Sequence, residues 1–185
     1  GQYRYIMRGQ ALASKREDGV DMGRVGEASA DIWDGGYAIC GTTGSGSSFV
    51  LRDPCGIRPA FYYADDEIVV VASERPVIQT VFNVARADVH ELEPGSAMLI
   101  DKKGDYTIRR ILPQRENKRC SFERIYFSRG SDADIYRERK KLGANIAAEL
   151  MSMVGGSFES TVFSFIPNTA EVAFLGMVEE LNRLT

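Results

Sequence analysis

The pattern of apolar residues changes along residues 120–132, and this change limits the folds that the chain can adopt. Before it, short β-branched and aromatic runs alternate with glycine turns, which is typical of antiparallel strands. After it, apolar residues recur at helical spacing. The segment itself is rich in aromatic residues and arginine and lacks the Gly, Ser and Pro bias of a flexible tether. We therefore expect a packed junction between two differently built parts.

Length and charge narrow the class of protein. The chain has 185 residues and a formal net charge of -3, which fits one domain, or one domain plus part of another. Mild acidity argues against a general nucleic-acid binder, because no dense basic face is implied. No apolar run reaches bilayer length and no signal pattern opens the chain, so we expect no membrane partner. Three cysteines without metal-type spacing predict reduced thiols in a cytoplasmic protein.

The part before residue 120 is predicted to be an antiparallel sheet system with helices packed on it. A helix is expected over residues 20–33, and a short one over 77–82 with Ser73 as its cap. The strand at 68–72 is apolar throughout, so we expect it to be covered on both faces. The predicted strands are residues 37–42, 48–52, 60–63, 68–72, 97–100 and 106–112.

Residues 52–59, RDPCGIRP, are dense in turn formers. Asp53 can accept hydrogen bonds from nearby backbone N–H groups, and Arg52 and Arg58 are available to pair with it. We favour a rigid, hydrogen-bonded turn over a catalytic role. The glycine-rich residues 41–47 are interpreted as a hairpin turn, because they lack the Lys-Ser/Thr ending of a phosphate loop.

Residues after the junction predict helix, strand, helix. Residues 134–153 form the clearest helix, with Ser131 or Asp132 as a cap and the charged run 137–141 mostly on a solvated face. Its apolar face is expected to contain Ile135, Leu142, Ile146, Leu150 and Met153. A buried strand is expected over 161–166, and a second helix over 171–184. A short loop between a buried strand and a helix is where α/β sheets bind anions, because the helix N-terminus offers free N–H groups.

Five motifs stand in register along residues 20–185. They are GGYA at 35–38, RDPCGIRP at 52–59, VASE at 71–74 with PG at 94–95, CSFERIYFSR at 120–129 and IPNTAE at 166–171. Together they resemble the amidophosphoribosyltransferase family. The first three are similar to the second half of its glutaminase domain, the fourth to the passage into its phosphoribosyltransferase domain, and the fifth to its pyrophosphate loop.

The resemblance implies an α+β fold followed by an α/β fold. Residues 1–118 would be the C-terminal half of an Ntn-hydrolase (class II glutamine amidotransferase) αββα sandwich. Residues 119–133 would be a junction, and residues 134–185 the start of a type I phosphoribosyltransferase domain. The family hydrolyses glutamine, and the ammonia displaces pyrophosphate from phosphoribosylpyrophosphate to give 5-phosphoribosylamine, the first step of purine synthesis. Mg²⁺ is implied for the full enzyme, and an iron–sulfur cluster is left open. A homo-oligomer is expected for this chain because of its uncovered apolar faces.

The resemblance also places candidate residues. Asn168, Thr169, Ala170 and Glu171 match the pyrophosphate loop; the alternative is an ordinary helix cap by Asn168 or Thr169.

Three further positions match the family at the junction. Tyr126 and Arg129 correspond to residues between the two domains, although plain packing is favoured for them. Cys120 corresponds to a cysteine that ligates an iron–sulfur cluster in some members, with a buried, inert thiol as the favoured alternative.

His90, the single histidine of the sequence, is interpreted as a surface residue and not as a catalyst.

The family's glutaminase nucleophile is a cysteine at the mature N-terminus, where this chain has Gly1. We therefore expect an internal fragment with no glutaminase catalytic residues, inactive in isolation and prone to associate through uncovered apolar faces. The alternative is a non-catalytic module that binds a phosphorylated metabolite or holds subunits together. A hydrolase that uses Cys55 is disfavoured, because no base stands at useful spacing and the thiol lies between two prolines.

Overall fold

The computed structural model describes residue 28 and residues 32–44, 46–155 and 158–185. The chain forms two compact units, the first ending at Cys120 and the second beginning at Ser121. The helix predicted over residues 20–33 falls almost entirely outside the described residues. No helix in the described part of the chain has the length and apolar character needed to cross a membrane.

The first unit contains a four-stranded antiparallel sheet. Its strands are β1 (Ala38–Thr42), β2 (Ser48–Arg52), β6 (Ser96–Ile100) and β7 (Tyr106–Arg110), in that spatial order. The turn between β1 and β2 is the predicted hairpin, closed by the bond from the Thr43 N–H to the Ser47 carbonyl at 2.7 Å.

A second, three-stranded antiparallel sheet completes the first unit. It contains β4 (Val69–Ala72), β3 (Phe61–Ala64) and β5 (His90–Glu91) in that order. Helix α1 (Arg75–Phe82) contacts β3 and β4, and a 3₁₀ turn covers Arg86–Asp88. Strand β5 was not predicted, because two residues are too few to show a period.

The two sheets stack through β2 and β6. Val50 and Met98 pack with Ala60 and Leu92, and side chains of β3 and β4 complete that cluster. On the other face of the first sheet, Phe49 and Leu51 pack with aromatic residues at positions 33 and 37. Strand β2 is therefore buried on both faces, as the central strand of a sandwich requires.

Several predictions for the first unit need correction. Strand β4 is half-buried along its length rather than covered on both faces. Helix α1 begins at Arg75, so Glu74 takes the cap position without a side-chain bond, and Ser73 is not the cap. Strand β7 ends at Arg110, because the N–H groups of the next two residues both turn to the Gly95 carbonyl at 3.0 Å.

The second unit is built on α2 (Ala133–Met153) and α3 (Glu171–Leu184), preceded by a π-helical segment, Glu123–Phe127. Asp132 caps α2, as predicted, by accepting the Asp134 N–H at 2.9 Å. The helices pack through Ala147, Met177 and Leu181.

The predicted apolar face of α2 is partly wrong. Its buried residues are Ile135, Arg139, Gly143 and Ala147, whereas three of the large apolar residues expected inside are exposed. The small residues at 143 and 147 let the second helix approach closely, and this turns the larger side chains outward. The exposed residues are Leu142, Ile146 and Met153. Arg139 is likewise an exception to the predicted solvated face.

The buried strand predicted at residues 161–166 is also wrong. These residues form no strand, and alternate side chains point outward, with Val162 93% and Ile166 83% exposed. Phe163 and Phe165 point inward, where Phe163 contacts Phe158 edge-to-face and the ring of Phe165 lies 5.1 Å from that of Phe174 in a tilted arrangement. An extended segment becomes a strand only when a neighbouring strand accepts and donates its backbone hydrogen bonds. Among the described residues, no strand pairs with residues 161–166.

Candidate functional site

Asp53 organises the turn at residues 52–59. Its carboxylate is fully buried and accepts three backbone N–H groups, from Cys55 at 3.1 Å, Ile57 at 2.9 Å and Arg58 at 3.0 Å. A buried carboxylate is stable only when its oxygens are bonded in this way. The predicted rigid, hydrogen-bonded turn is therefore confirmed.

Arg52 has a partner that the sequence did not predict. Its Nε donates to the Arg58 carbonyl at 2.8 Å and its Nη1 to the Leu92 carbonyl. Nη1 also lies 2.8 Å from the Glu91 carboxylate. Arg52 thus forms its ion pair with Glu91 of strand β5 and not with Asp53, which uses its oxygens on the turn backbone.

Residues 113–119, which we call the exit segment, run along this turn just before the end of the first unit. The Arg115 N–H donates to the Pro54 carbonyl at 2.9 Å, and the Lys118 N–H donates to the Cys55 carbonyl at 2.9 Å. Arg119 then binds both oxygens of Glu91 at 3.0 Å. Turn, strand β5 and exit segment are held as one hydrogen-bonded cluster.

A cavity of about 310 Å³ lies between the turn and the exit segment. Its lining includes Trp33, Cys55, Arg115 and Lys118. Burial raises the pKa of the neighbouring Tyr37, the Asp53 carboxylate raises it further, and Arg115 opposes the change. The lining offers carboxylates but no histidine to serve Cys55 as a base, so the disfavoured hydrolase gains no support from its geometry.

The candidate pyrophosphate loop lies at the start of α3. Asn168 and Thr169 are exposed in a turn, and Ala170 takes the cap position with no side-chain bond. The Glu171 N–H reaches the Asn168 carbonyl at 3.3 Å. The alternative interpretation, a cap by Asn168 or Thr169, is therefore wrong. The next N–H groups of the first turn have no intrahelical acceptor and can bind an anion.

Tyr126 belongs to an exposed aromatic cluster on the π-helical segment. Tyr126 is 56% exposed, and its ring stacks on Phe122 at 5.1 Å and meets Phe127 edge-on at 5.2 Å. Arg129, the other junction candidate, lies two residues past the segment, and its carbonyl accepts the Asp132 N–H at 3.1 Å.

Arg139 holds the π-helical segment on α2. Its buried guanidinium donates to the Arg124 carbonyl at 3.1 Å and to the Ser128 carbonyl at 2.7 Å. Arg124 in turn forms a two-point ion pair with Glu138. These contacts agree with a packed, inflexible segment. The charge run that contains Arg139 gave no signal that one member is buried.

Cys120 is half-buried, and like Cys40 and Cys55 it is a free thiol. Iron–sulfur clusters take several thiolate ligands, so Cys120 would need ligands from elsewhere. Within the described ranges, no three His, Cys, Asp or Glu side chains come together in an arrangement that could hold a metal ion. His90 is exposed, as predicted, and its ring lies 5.5 Å from that of Tyr62.

Residues 23–124 match the protein family described as glutamine amidotransferases class-II. The match covers more than half of the chain. This chain belongs to the class-II glutamine amidotransferases. The two stacked antiparallel sheets of its first unit agree with the Ntn-type sandwich that the resemblance implied.

This class-II amidotransferase chain is similar to longer enzymes. It is 30% identical over 162 residues to the amidophosphoribosyltransferase of Lachancea kluyveri, covering 80% of this chain and 31% of the relative. The chain therefore spans about a third of the length of that curated relative. The resemblance to amidophosphoribosyltransferases, stated from its motifs, is confirmed.

Two solved structures share the fold across both units. One is the glutamine phosphoribosylpyrophosphate amidotransferase from B. subtilis complexed with ADP and GMP, with a TM-score of 0.66, 25% identity, and coverage of 98% of this chain and 41% of that one. The other is described as the allosteric regulatory enzyme of purine biosynthesis, with a TM-score of 0.70, 24% identity, and coverage of 97% and 36%.

Proposed function

We propose that the protein acts as an amidophosphoribosyltransferase, which makes 5-phosphoribosylamine from phosphoribosylpyrophosphate and glutamine. The observation that carries the proposal is the fold match to the B. subtilis amidotransferase over 98% of the chain. Because that match includes residues on both sides of Cys120, it supports a protein with a glutaminase part and a phosphoribosyltransferase part.

We propose that Asn168, Thr169, Ala170 and Glu171 contact the diphosphate of phosphoribosylpyrophosphate. The loop is exposed, its side chains are not consumed in capping α3, and the positive end of the helix dipole favours an anion there. The same argument supports pyrophosphate, the leaving group, as a ligand of this loop.

Mg²⁺ is proposed as the cation that accompanies the diphosphate in the full enzyme. Mg²⁺ commonly binds through substrate phosphates and only one or two carboxylates. The described residues bring together no three carboxylate, His or Cys ligands, so the phosphate oxygens would supply most of the ligands of the metal. Its role would be to neutralise the phosphate charge.

A calorimetric titration of the complete protein with pyrophosphate and Mg²⁺ tests the loop. Thr169→Ala removes one hydroxyl donor, and we expect about tenfold weaker binding. Ser164→Ala is the matched control, because Ser164 is also an exposed hydroxyl residue but lies outside the loop. Equal affinity in both variants would contradict the assignment of Thr169.

The glutamine half of the proposal concerns the complete protein, because the chain spans about a third of the length of the Lachancea kluyveri relative. We therefore propose that the purified chain alone does not hydrolyse glutamine. Release of ammonia from glutamine by the purified chain alone would contradict this, and would direct attention to its three free thiols.

Tyr126 and Arg129 are proposed as residues of the junction. The exposed stack of Tyr126 on Phe122 gives the segment an apolar surface suited to packing rather than to chemistry. We also propose a cytoplasmic location, on the composition argument above, with glutamine and phosphoribosylpyrophosphate as the small-molecule partners.

A non-catalytic module is the second candidate, and one observation favours it. Val162, Ile166 and Met153 are more than two-thirds exposed on the second unit, and large apolar exposure marks association surfaces. The same exposure supports a homo-oligomer of the enzyme. If the complete protein is a module, it would bind phosphometabolites or self-associate but release no pyrophosphate. If it is an enzyme, it would bind phosphoribosylpyrophosphate and also release pyrophosphate.

A further inference from the structure

We propose that Glu91 is a positioning residue that locks the exit segment onto the turn at 52–59. Resting on the proposed function, we infer that this lock keeps glutamine hydrolysis matched to phosphoribosylamine formation. Glu91 touches neither substrate in this account. It acts through Arg52 on one side and Arg119 on the other, an arrangement that we call the Glu91 clamp.

The inner arm of the Glu91 clamp is buried. The side chain of Arg52 is 1% exposed, and its Nη1 lies 2.8 Å from a Glu91 oxygen. A buried guanidinium is costly to keep unless it is paired and hydrogen-bonded. Carbonyls of the turn and of Leu92 accept its other N–H groups. The pairing therefore fixes Glu91 against the turn.

The outer arm reaches the chain where it leaves the first unit. Arg119 is 46% exposed on its side chain and is bound by both Glu91 oxygens at 3.0 Å. It is the residue immediately before Cys120, the last residue of the first unit. One carboxylate thus ties the buried core of the turn to the point of exit.

Backbone hydrogen bonds extend this lock along the exit segment. Pro54 and Cys55 accept the N–H groups of Arg115 and Lys118 at 2.9 Å each. The turn that offers these carbonyls is itself held by Asp53. A disturbance of the turn is therefore transmitted to Arg119, and a loosened Arg119 frees the exit segment.

The Glu91 clamp would couple glutamine hydrolysis to phosphoribosylamine formation. In the proposed function, ammonia made in one part of the protein is used in the other, so its loss to solvent wastes glutamine. A fixed exit segment keeps the end of the first unit in one conformation. Loss of the contact between Arg119 and Glu91 should leave the rate of each half-reaction unchanged. It should raise only the amount of glutamine hydrolysed for each phosphoribosylamine formed.

The first experiment measures hydrogen exchange on the complete protein. In Arg119→Gln, the amides of Arg115 and Lys118 should exchange about fivefold faster, because their segment opens more often. Glu116→Gln is the matched control, since it removes an exposed ion pair with Lys118 at 3.8 Å on the same segment and should change little. Unchanged exchange in Arg119→Gln overturns the lock.

The second experiment measures three rates in the same variants: glutamine hydrolysis, phosphoribosylamine formation from added ammonia, and phosphoribosylamine formation from glutamine. We expect Arg119→Gln to keep the first two and to consume about twice as much glutamine per product. Arg119→Lys should recover part of the loss, because it restores the positive charge but replaces the planar guanidinium by an ammonium group. An unchanged ratio despite faster exchange overturns the coupling role.

These outcomes separate the clamp from the proposed function. If the unmodified protein performs neither half-reaction, the proposed function and the coupling role both fail. The exchange measurement still decides whether Glu91 and Arg119 lock the exit segment.

Discussion

Gly143 of α2 and Gly176 of α3 each lie directly against the backbone of the opposite helix. A Cβ atom built on Gly143 would lie 1.6 Å from the Ala173 carbonyl oxygen, and one on Gly176 would lie 1.9 Å from the Lys140 carbonyl oxygen. The obstacle on each side is helix backbone, which cannot turn aside as a side chain can. These glycines therefore set the distance between the helices.

Gly143→Ala should destabilise the second unit, because the added methyl group forces α2 and α3 apart. We expect a loss of about 3 kcal/mol in the free energy of unfolding, at the upper end for overpacking. Urea denaturation followed by circular dichroism measures it. Asn145→Ala, at an exposed position of the same helix, should be neutral or slightly stabilising. Equal stability of the two variants would refute the close packing.

Asp53→Asn should weaken the first unit. The amide keeps one acceptor oxygen and presents an NH₂ group to a backbone N–H, so buried donors are left unpaired. We expect a loss of about 3 kcal/mol in the free energy of unfolding. Asp65→Asn is the control: Asp65 also accepts two backbone N–H groups, at 2.8 and 2.9 Å, but at an exposed turn. If Asp53→Asn lowers the free energy of unfolding no more than Asp65→Asn does, burial does not make the loss of these hydrogen bonds more costly, and the prediction is wrong.

The pKa of the Asp65 carboxyl is held below its usual value, first by the Glu67 N–H, then by the Tyr63 hydroxyl and the Ile68 N–H. Because the folded-state pKa is the lower one, the stabilisation is present above the unfolded pKa of about 3.9 and is lost as pH falls through the folded value. Tyr63→Phe removes one donor and should raise the pKa, as an NMR titration can measure. Tyr136→Phe should leave it unchanged, and an unmoved Asp65 in Tyr63→Phe would contradict the contact.

Arg139→Met should release the π-helical segment while it keeps much of the side-chain volume. The carbonyls of Arg124 and Ser128 would each lose a donor, so hydrogen exchange at residues 123–128 should accelerate about tenfold. Arg137→Met is the matched control, because Arg137 on the same helix makes only a loose 3.7 Å ion pair with Asp134. If both variants exchange alike, Arg139 does not hold the segment.

Local chemistry was enough to predict most of the first unit. The hairpins and the turn held by Asp53 depend on residues close in sequence, whose patterns are visible in a single chain. The cap at Asp132 in the second unit was predictable for the same reason. Strand β5 and the Glu91 clamp could not be predicted, since Glu91 finds its partners 39 and 28 residues away along the chain. No local pattern reports such pairs.

The second unit shows where pattern reasoning fails. Side-chain size determines which face of α2 packs on α3. The small residues Gly143 and Ala147 allow a close approach of α3 that Leu142 and Ile146 would block. Apolar periodicity alone favoured the larger side chains. The segment at 161–166 had the composition of a strand, but a strand also needs a partner. The role of residues 168–171 stays a prediction from the resemblance.

The most direct test of the central proposal is a pyrophosphate-release assay on the complete protein with phosphoribosylpyrophosphate and glutamine labelled with ¹⁵N at the amide. The proposed function predicts one pyrophosphate released for each ¹⁵N-labelled phosphoribosylamine formed, with no release when the nitrogen donor is omitted. Pyrophosphate release without a nitrogen donor, or binding of phosphoribosylpyrophosphate with no release at all, would contradict it.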